Sequence, residues 1–246
     1  MKQIPDFDVL LLDIEGTTTS IWFVKDVLFP YARDNVEMYL RTFNDLPELQ
    51  PILEELVNTS NKLALEDDNV SKVESINDID NIVKNVKYWI AKDLKLKSLK
   101  DLQGYLWVHG YKTKAFKAHV YDDTPKLFEL AKNADVPVNI YSSGSVFAQK
   151  LLFGFSKKGD LTPYISQYFD TAVGPKVEAQ SYVNIVRQLG VAAERVLFVT
   201  DVDKEAFAAK EAGLSVVITV RRGNAPLSDE AKETFKLIAS FDEIPL

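Results

Sequence analysis

After a polar start the chain enters a short apolar run, "DVLLLD" at 8 to 13, that stops abruptly on acids. Three further runs share this texture: "VPVNIYSS" at 136 to 143, "RVLFVTD" at 195 to 201 and "LSVVITV" at 214 to 220; "YFDTAVG" at 168 to 174 is a weaker fifth. Apolar, β-branched runs this short predict strands covered on both faces, as in a parallel sheet. Among the later runs apolar residues recur at helical spacing over roughly 145 to 154, 178 to 189, 204 to 213 and 228 to 239. Strands alternating with helices predict an α/β fold, a doubly wound and mostly parallel sheet with a Rossmann-like core.

More than a hundred residues lie between the first run and the second. "VKDVLFPYARDNVEMYLRTF", "PELQPILEELVNTSNKLAL", "VESINDIDNIVKNVKYWIAKDL" and "LKDLQGYLWVHGYK" all carry helical periodicity. Ser71 and Glu74 have capping-box spacing at the start of the third. A loop cannot absorb that length, so residues 20–122 are expected to form an all-helical domain inserted after the first strand, with 1–19 and 123–246 as the core. Thr124 before Pro125 predicts an N-cap where the chain re-enters the core. Tyr105, Trp107 and Tyr111 sit at helical spacing and read as core of the insert. The acid-rich stretch 66 to 80 reads as an exposed connection and helix start rather than a cation site. His109 and His119 stand too far from other ligating residues to suggest a metal pair or a catalytic role.

Composition narrows the function. None of the 246 residues is Cys, which excludes disulfides, thiolate nucleophiles and Cys-ligated zinc. A formal charge of −7 argues against broad nucleic-acid binding, and no apolar stretch approaches the length of a membrane helix. The N-terminus lacks the features of a secretory signal, so a cytoplasmic location is expected, with the nucleus open to a chain of this size.

Three of the apolar runs end in polar groups at what would be the C-terminal edge of the sheet: Asp13 and Glu15, Ser142 and Ser143, and Asp201 with Asp203. Lys176, just before a predicted helix, falls at the same edge. Each ending alone is compatible with a cap or turn; together they mark the edge where open α/β sheets bind ligands. Two acids, a hydroxyl, a lysine and a further acid suit Mg²⁺-assisted phosphoryl transfer. Asp13 and Asp201 would hold the cation, and a carboxylate would attack phosphorus. A second acid two residues on would shuttle the proton, while Ser142 and Lys176 bind phosphate oxygens. An ammonium at a sheet edge would serve phosphate charge rather than core packing.

"LLLDIEGT", "IYSS", the lone Lys176 and "LFVTDVDKE" resemble the four signatures of the haloacid dehalogenase-like phosphatase superfamily, with Glu15 in place of the usual second Asp. "DIEGTTTS", "FVKDVLFPYA", "IYSSGSVFAQKLLFG" and "FVTDVDKEA" further resemble the enolase-phosphatases of methionine salvage, members with a helical cap. The resemblance implies a Mg²⁺ enzyme that enolises 2,3-diketo-5-methylthiopentyl 1-phosphate and then removes its phosphate to give an acireductone. By position it implies Asp13 as nucleophile and metal ligand and Glu15 as acid/base at the metal. It implies Ser142, Ser143 and Lys176 as substrate-binding residues, Lys176 also as catalytic, and Asp201 as metal ligand. The expected partner is a small phosphate ester; with charge and hydropathy arguing against nucleic acid and membrane, the chain is expected to be a monomer. Trp22 stands where this pattern leads one to expect a small residue, and Glu205 stands where the superfamily often has a second Asp, its role open. The alternative within the superfamily is a capped sugar-phosphate phosphatase. A receiver-type switch is about half this length with its acceptor on a middle strand, and a dehalogenase needs no metal. The turn "RRGNAP" at 221 to 226 reads as an anion loop or as a solvated turn.

Overall fold

The first apolar run forms β1 (Val9–Leu12), four residues with every side chain buried. It is followed in the sheet by β2 (Val138–Tyr141), β3 (Ile165–Phe169), β4 (Val196–Thr200), β5 (Ser215–Thr219) and β6 (Lys236–Ile238). In the computed structural model, which describes residues 2–246, these strands lie in the order β3-β2-β1-β4-β5-β6 and all pair in parallel. Leu12 is in register with Ile140 on one side and Val199 on the other, so the central strands finish at one level. The residues just beyond them, Asp13, Ser142 and Asp201, therefore share one edge.

One face of the sheet packs Val9, Leu11, Tyr141, Phe169, Val196 and Phe198 against Tyr182 and Ile185 of the helix Ala179–Leu189 and Ala208 and Ala209 of the helix Asp203–Glu211. Small alanines let the second helix approach closely while the aromatics fill the remaining depth. Beyond β5, Ser228 caps the helix Asp229–Thr234 by accepting from Ala231 N at 3.2 Å.

Three expected elements are displaced. The weak strand lies upstream, at Ile165–Phe169, because the Asp170 carboxylate accepts from Ala172 N at 2.9 Å and turns the chain where "TAVG" looked extended. The helix expected over 228 to 239 stops at Thr234, and its last residues form the edge strand β6. The helix entering at Thr124 begins earlier, at Asp123, and the Thr124 hydroxyl donates to Thr18 O at 3.0 Å instead of capping.

Two compact units are present: one runs up to Val24 and resumes over Lys117–Leu246, the other is Lys25–Phe116. The second consists of the helices Phe29–Phe43, Gln50–Leu63, Ile79–Ala91 and Lys97–Lys112. Leu40, Leu53, Leu56, Val86, Trp89, Leu102 and Leu106 form its fully buried interior. Trp107 is buried with its indole N–H donating to Leu28 O at 2.9 Å, and His109 meets Tyr31 OH at 2.9 Å. Ser71 caps no helix: the third helix starts at Ile79, and Ser71 is held instead by Asn85 and Lys84. Within the acidic stretch the Asp67 carboxylate accepts from Asn69 and Tyr88, that of Asp78 from Asn81 and that of Asp80 from Arg41.

In the sheet-bearing unit a buried ion pair fastens the end of the chain. Asp123 Oδ2 lies 2.7 Å from Arg221 Nη1 and accepts from Phe241 N at 2.8 Å and Ser240 Oγ at 3.0 Å. The Arg221 guanidinium lies over the rings of Tyr121 and Phe241, at 4.4 and 4.7 Å. Among the described residues no helix is long and apolar enough to cross a membrane.

Candidate active site

The loop after β1 folds back on itself around a single acceptor: the backbone N–H groups of Thr17, Thr18 and Thr19 all donate to Ile14 O, at 3.3, 3.0 and 2.9 Å. This turn fixes Asp13, whose own N–H donates to Val199 O at 2.9 Å and which is 5% exposed. Asp13 Oδ1 pairs with Lys176 Nζ, and Oδ2 accepts from Thr17 Oγ1 at 3.3 Å. Both carboxylate oxygens are thus oriented before any ligand arrives.

Lys176 is brought under this edge by the turn between β3 and the helix Ala179–Leu189. Tyr182 OH donates to Lys176 O at 2.7 Å, Ser181 Oγ to Pro175 O at 2.7 Å and Tyr141 OH to Gly174 O at 2.8 Å. Its ammonium bridges Asp13 and Glu205, the latter at 2.7 Å, and lies 5.6 Å from the centre of the Tyr141 ring. Burial alone would lower the Lys176 pKa, but the charges of Asp13 and Glu205 outweigh it and raise the pKa, so the ammonium stays charged. Glu205, which also accepts from Thr200 Oγ1 at 2.9 Å, is held above the ordinary glutamate range by burial, with Lys176 opposing and Asp13 adding.

Asp201 follows β4 and is 7% exposed. Burial first, then the negative charges of Asp13 and Glu205, push its carboxyl up to about 8, with Lys176 pulling it down. Three acids thus face one lysine. Asp201 rests against Gly16, whose φ of +72° is left-handed; a Cβ there would stand 2.2 Å from Asp201 Oδ2. Gly16→Ala is therefore expected to lower the unfolding free energy by about 2 kcal/mol or more, combining backbone strain with overpacking. Urea unfolding measures it, and a variant as stable as the parent would mean that Asp201 moves aside freely.

The remaining expected residues lie just after β1, β2 and β4. Ser142, 5% exposed, donates its N–H to Phe169 O at 3.1 Å, and its Oγ accepts from Gly144 N at 3.3 Å. Ser143 is exposed on the same loop, and Glu15 is half-buried, bridged to Thr19 within the turn. Asp203 turns away from the cluster, accepting from Lys204 N and Ser228 N. His119 takes no part in the cluster: its Nδ1 accepts from Ser20 N at 3.1 Å.

The sequence alone leaves Glu205 open; the structure puts it on Lys176, one helical turn past Asp201. Nor does the sequence give a role to Thr17, which orients Asp13. The threonine's nearness to the acid along the chain is the available signal.

Among the described residues no three His, Asp or Glu side chains gather as a preformed metal cluster. The donor set nevertheless fits a hard divalent cation that takes one or two carboxylates and keeps its waters, since Asp13 and Asp201 are buried acids and the ammonium beside Asp13, that of Lys176, is shared with Glu205.

A family model described as haloacid dehalogenase-like hydrolase matches residues 7–213. The chain is 47% identical over 240 residues to enolase-phosphatase E1 of Drosophila willistoni, covering 96% of each chain. It is 45% identical to enolase-phosphatase E1 of Caenorhabditis briggsae, over 97% of this chain and 96% of that one. Among solved structures it superposes on the UTR4 protein of Saccharomyces cerevisiae with a TM-score of 0.78 at 36% identity, over 96% of this chain and 99% of that one. A hydrolase-type cluster on the C-terminal edge of the sheet and full-length likeness to these proteins agree: the chain belongs to the haloacid dehalogenase-like hydrolases and, among them, to the enolase-phosphatase E1 family.

Proposed function

We propose that this chain is the enolase-phosphatase of methionine salvage, converting 2,3-diketo-5-methylthiopentyl 1-phosphate to an acireductone and inorganic phosphate. The observation that carries the reading is the pairing of Lys176 with both Asp13 and Glu205 beneath Asp201, in a chain whose relatives of that family match it nearly end to end. Mg²⁺, held by Asp13 and Asp201 with Glu15 beside them, would neutralise the phosphate and polarise the substrate oxygens.

In this reading Ser142, Ser143 and Lys176 bind the phosphate. Enolisation removes a proton from the carbon bearing the ester and moves that electron pair onto the adjacent carbonyl oxygen, with Glu15 as the candidate base. An Asp13 carboxylate oxygen then attacks phosphorus, the bond from phosphorus to the ester oxygen breaks, and Glu15 gives that oxygen its proton. Glu15 next takes a proton from water, whose oxygen displaces Asp13 from phosphorus and frees phosphate, and passes it to the enolate oxygen, which restores the free Glu15 carboxylate. Lys176, anchored by Glu205, holds positive charge where the transferring group gathers negative charge. Residues 20–122 serve as a cap that selects the substrate, the chain acting as a monomer in the cytoplasm and, where it reaches it, the nucleus.

Incubation with the diketo phosphate and Mg²⁺, following enol absorbance and released phosphate together, tests the activity. Faster turnover of sugar phosphates than of the diketo phosphate would transfer the chain to the capped sugar-phosphate alternative.

The cation reading has a separate check on stability. The folded Asp201 keeps its proton up to about 8, whereas an unfolded aspartate releases it near 3.8. Without cation, the stability present in acid is therefore lost as pH rises towards 8. The unfolding midpoint in EDTA is expected to fall over this interval, and the increase on adding Mg²⁺ to grow over it. A midpoint indifferent to Mg²⁺ at every pH would remove the cation from the mechanism.

A further inference from the structure

The turn at 221 to 226 plays no part in the chemistry above, yet it is built tightly against the site. Asn224 N donates to Arg221 O at 3.2 Å and closes it. Gly223, at a φ of +96°, lies under the Trp22 indole, where a Cβ would stand 2.0 Å from Nε1. Trp22 itself is 56% exposed, so its contribution is to press on this turn rather than to fill a core.

Asn224 is oriented by its nitrogen. Nδ2 donates to Gly16 O at 3.0 Å and Thr219 O at 3.4 Å. Two carbonyl acceptors at one end require the NH₂ group there, which fixes Oδ1 at the other. That oxygen is buried and, among the described residues, has no hydrogen-bond donor. Its direction is given by Gly16: the point where a Cβ would lie is 2.9 Å from Asn224 Oδ1 and 2.2 Å from Asp201 Oδ2. The two oxygens therefore flank one point and lie within the sum of those distances of each other. With Asp201 ionised, as it must be to hold a cation, both are acceptors, so neither satisfies the other.

A donor is needed at that place, and water bound to a divalent cation is a strong one, because its hydrogens point away from the cation. We propose that Asn224 is a positioning residue of the cation site, its Oδ1 accepting a hydrogen bond from a water in the shell of the cation held by Asp13 and Asp201. This rests on the cation reading above. A neutral amide suits the position, because it orients water without adding a further negative charge to a site where three acids already share Lys176.

The test compares the full-length parent with Asn224→Ala and Asn224→Asp, using Mg²⁺ binding by calorimetry and water-proton relaxation of bound Mn²⁺. The aspartate keeps an acceptor oxygen in place but loses both donations to Gly16 and Thr219. Asn224→Ala is expected to weaken Mg²⁺ about 10-fold or more and to alter the relaxation of Mn²⁺-bound water. Asn224→Asp is expected to bind within about threefold of the parent, or more tightly. If Asn224 merely braces the backbone, both variants weaken alike and the bound-water relaxation stays unchanged, which overturns the proposal. Parent-like Mg²⁺ affinity in Asn224→Ala overturns it as well. Should circular dichroism show the alanine variant unfolded, the aspartate decides alone, a loss of about 10-fold or more in its affinity counting against. A parent that binds neither cation removes the cation reading itself, a result distinct from any difference among the variants.

Discussion

Asp13→Asn is expected to lower phosphate release by a factor on the order of 10⁴, since no other group of the cluster can replace the attacking oxygen. The first step needs no nucleophile. It needs a base and positive charge near the developing enolate, so a protein that still binds Mg²⁺ should form the enol phosphate and accumulate it. The expected signature is rising ultraviolet absorbance without free phosphate. Asparagine is a weaker ligand for a hard cation, and it also gives up the ion pair that Asp13 makes with Lys176, so a Mg²⁺ titration accompanies the assay. A variant that binds Mg²⁺ and substrate yet forms no enol would implicate Asp13 in removing the proton and reverse the assignment given to Glu15.

Lys176→Ala is expected to damage both activity and stability. Loss of an ammonium that meets the transferring phosphate should reduce kcat by roughly 10²- to 10³-fold. The same change leaves Asp13 and Glu205 buried without their cation, and breaking such a pair costs about 3–5 kcal/mol. Glu205 already lies above its ordinary range because of burial, and losing Lys176 removes the attraction that holds it down. A raised carboxyl stabilises the fold in acid and destabilises it as pH rises, so the deficit of the variant should be smaller at pH 5 than at pH 8. Urea unfolding at the two values measures it. Equal deficits at both would mean that solvent, not protein, neutralises the abandoned acids.

This adds a stabilising role to what the sequence suggests for Lys176. An ammonium at a sheet edge reads as serving phosphate charge rather than packing, because nothing in linear order announces that it is buried between Asp13 and Glu205. The central strands were legible, since "LLLD", "VNIY" and "LFVTD" are covered on both faces and carry no alternation to confuse the reading. The edges were not. In β3, Ser166 and Gln167 face solvent and dilute the apolar signal, while "TAVG" beyond it is apolar enough to pass for a strand. In β6, three residues directly after a helix carry too short a pattern to separate the two periods. Asp13, Glu15, Ser142, Lys176 and Asp201 were legible as candidates because strand ends concentrate chemistry. Glu205 and Asn224 were not, because their roles depend on which atoms they meet across the fold, and an asparagine in a Gly- and Pro-containing turn satisfies turn chemistry without further explanation.

The place of β1 in the sheet also bears on how the protein comes into being. It precedes the other strands of the sheet along the chain, yet it pairs with residues around Val138 and Val196. The edge of the sheet beyond β5 forms only when β6 has emerged, and with it Phe241, whose N–H donates to Asp123. A nascent chain must therefore carry "VLLL" unpaired until β2 has emerged, while the helices of residues 25–116 can settle on local contacts before that. The consequence is a late stage in which the sheet and its edge of acids assemble together, and a growing chain that depends on shielding of that apolar segment until β2 and β4 have been made.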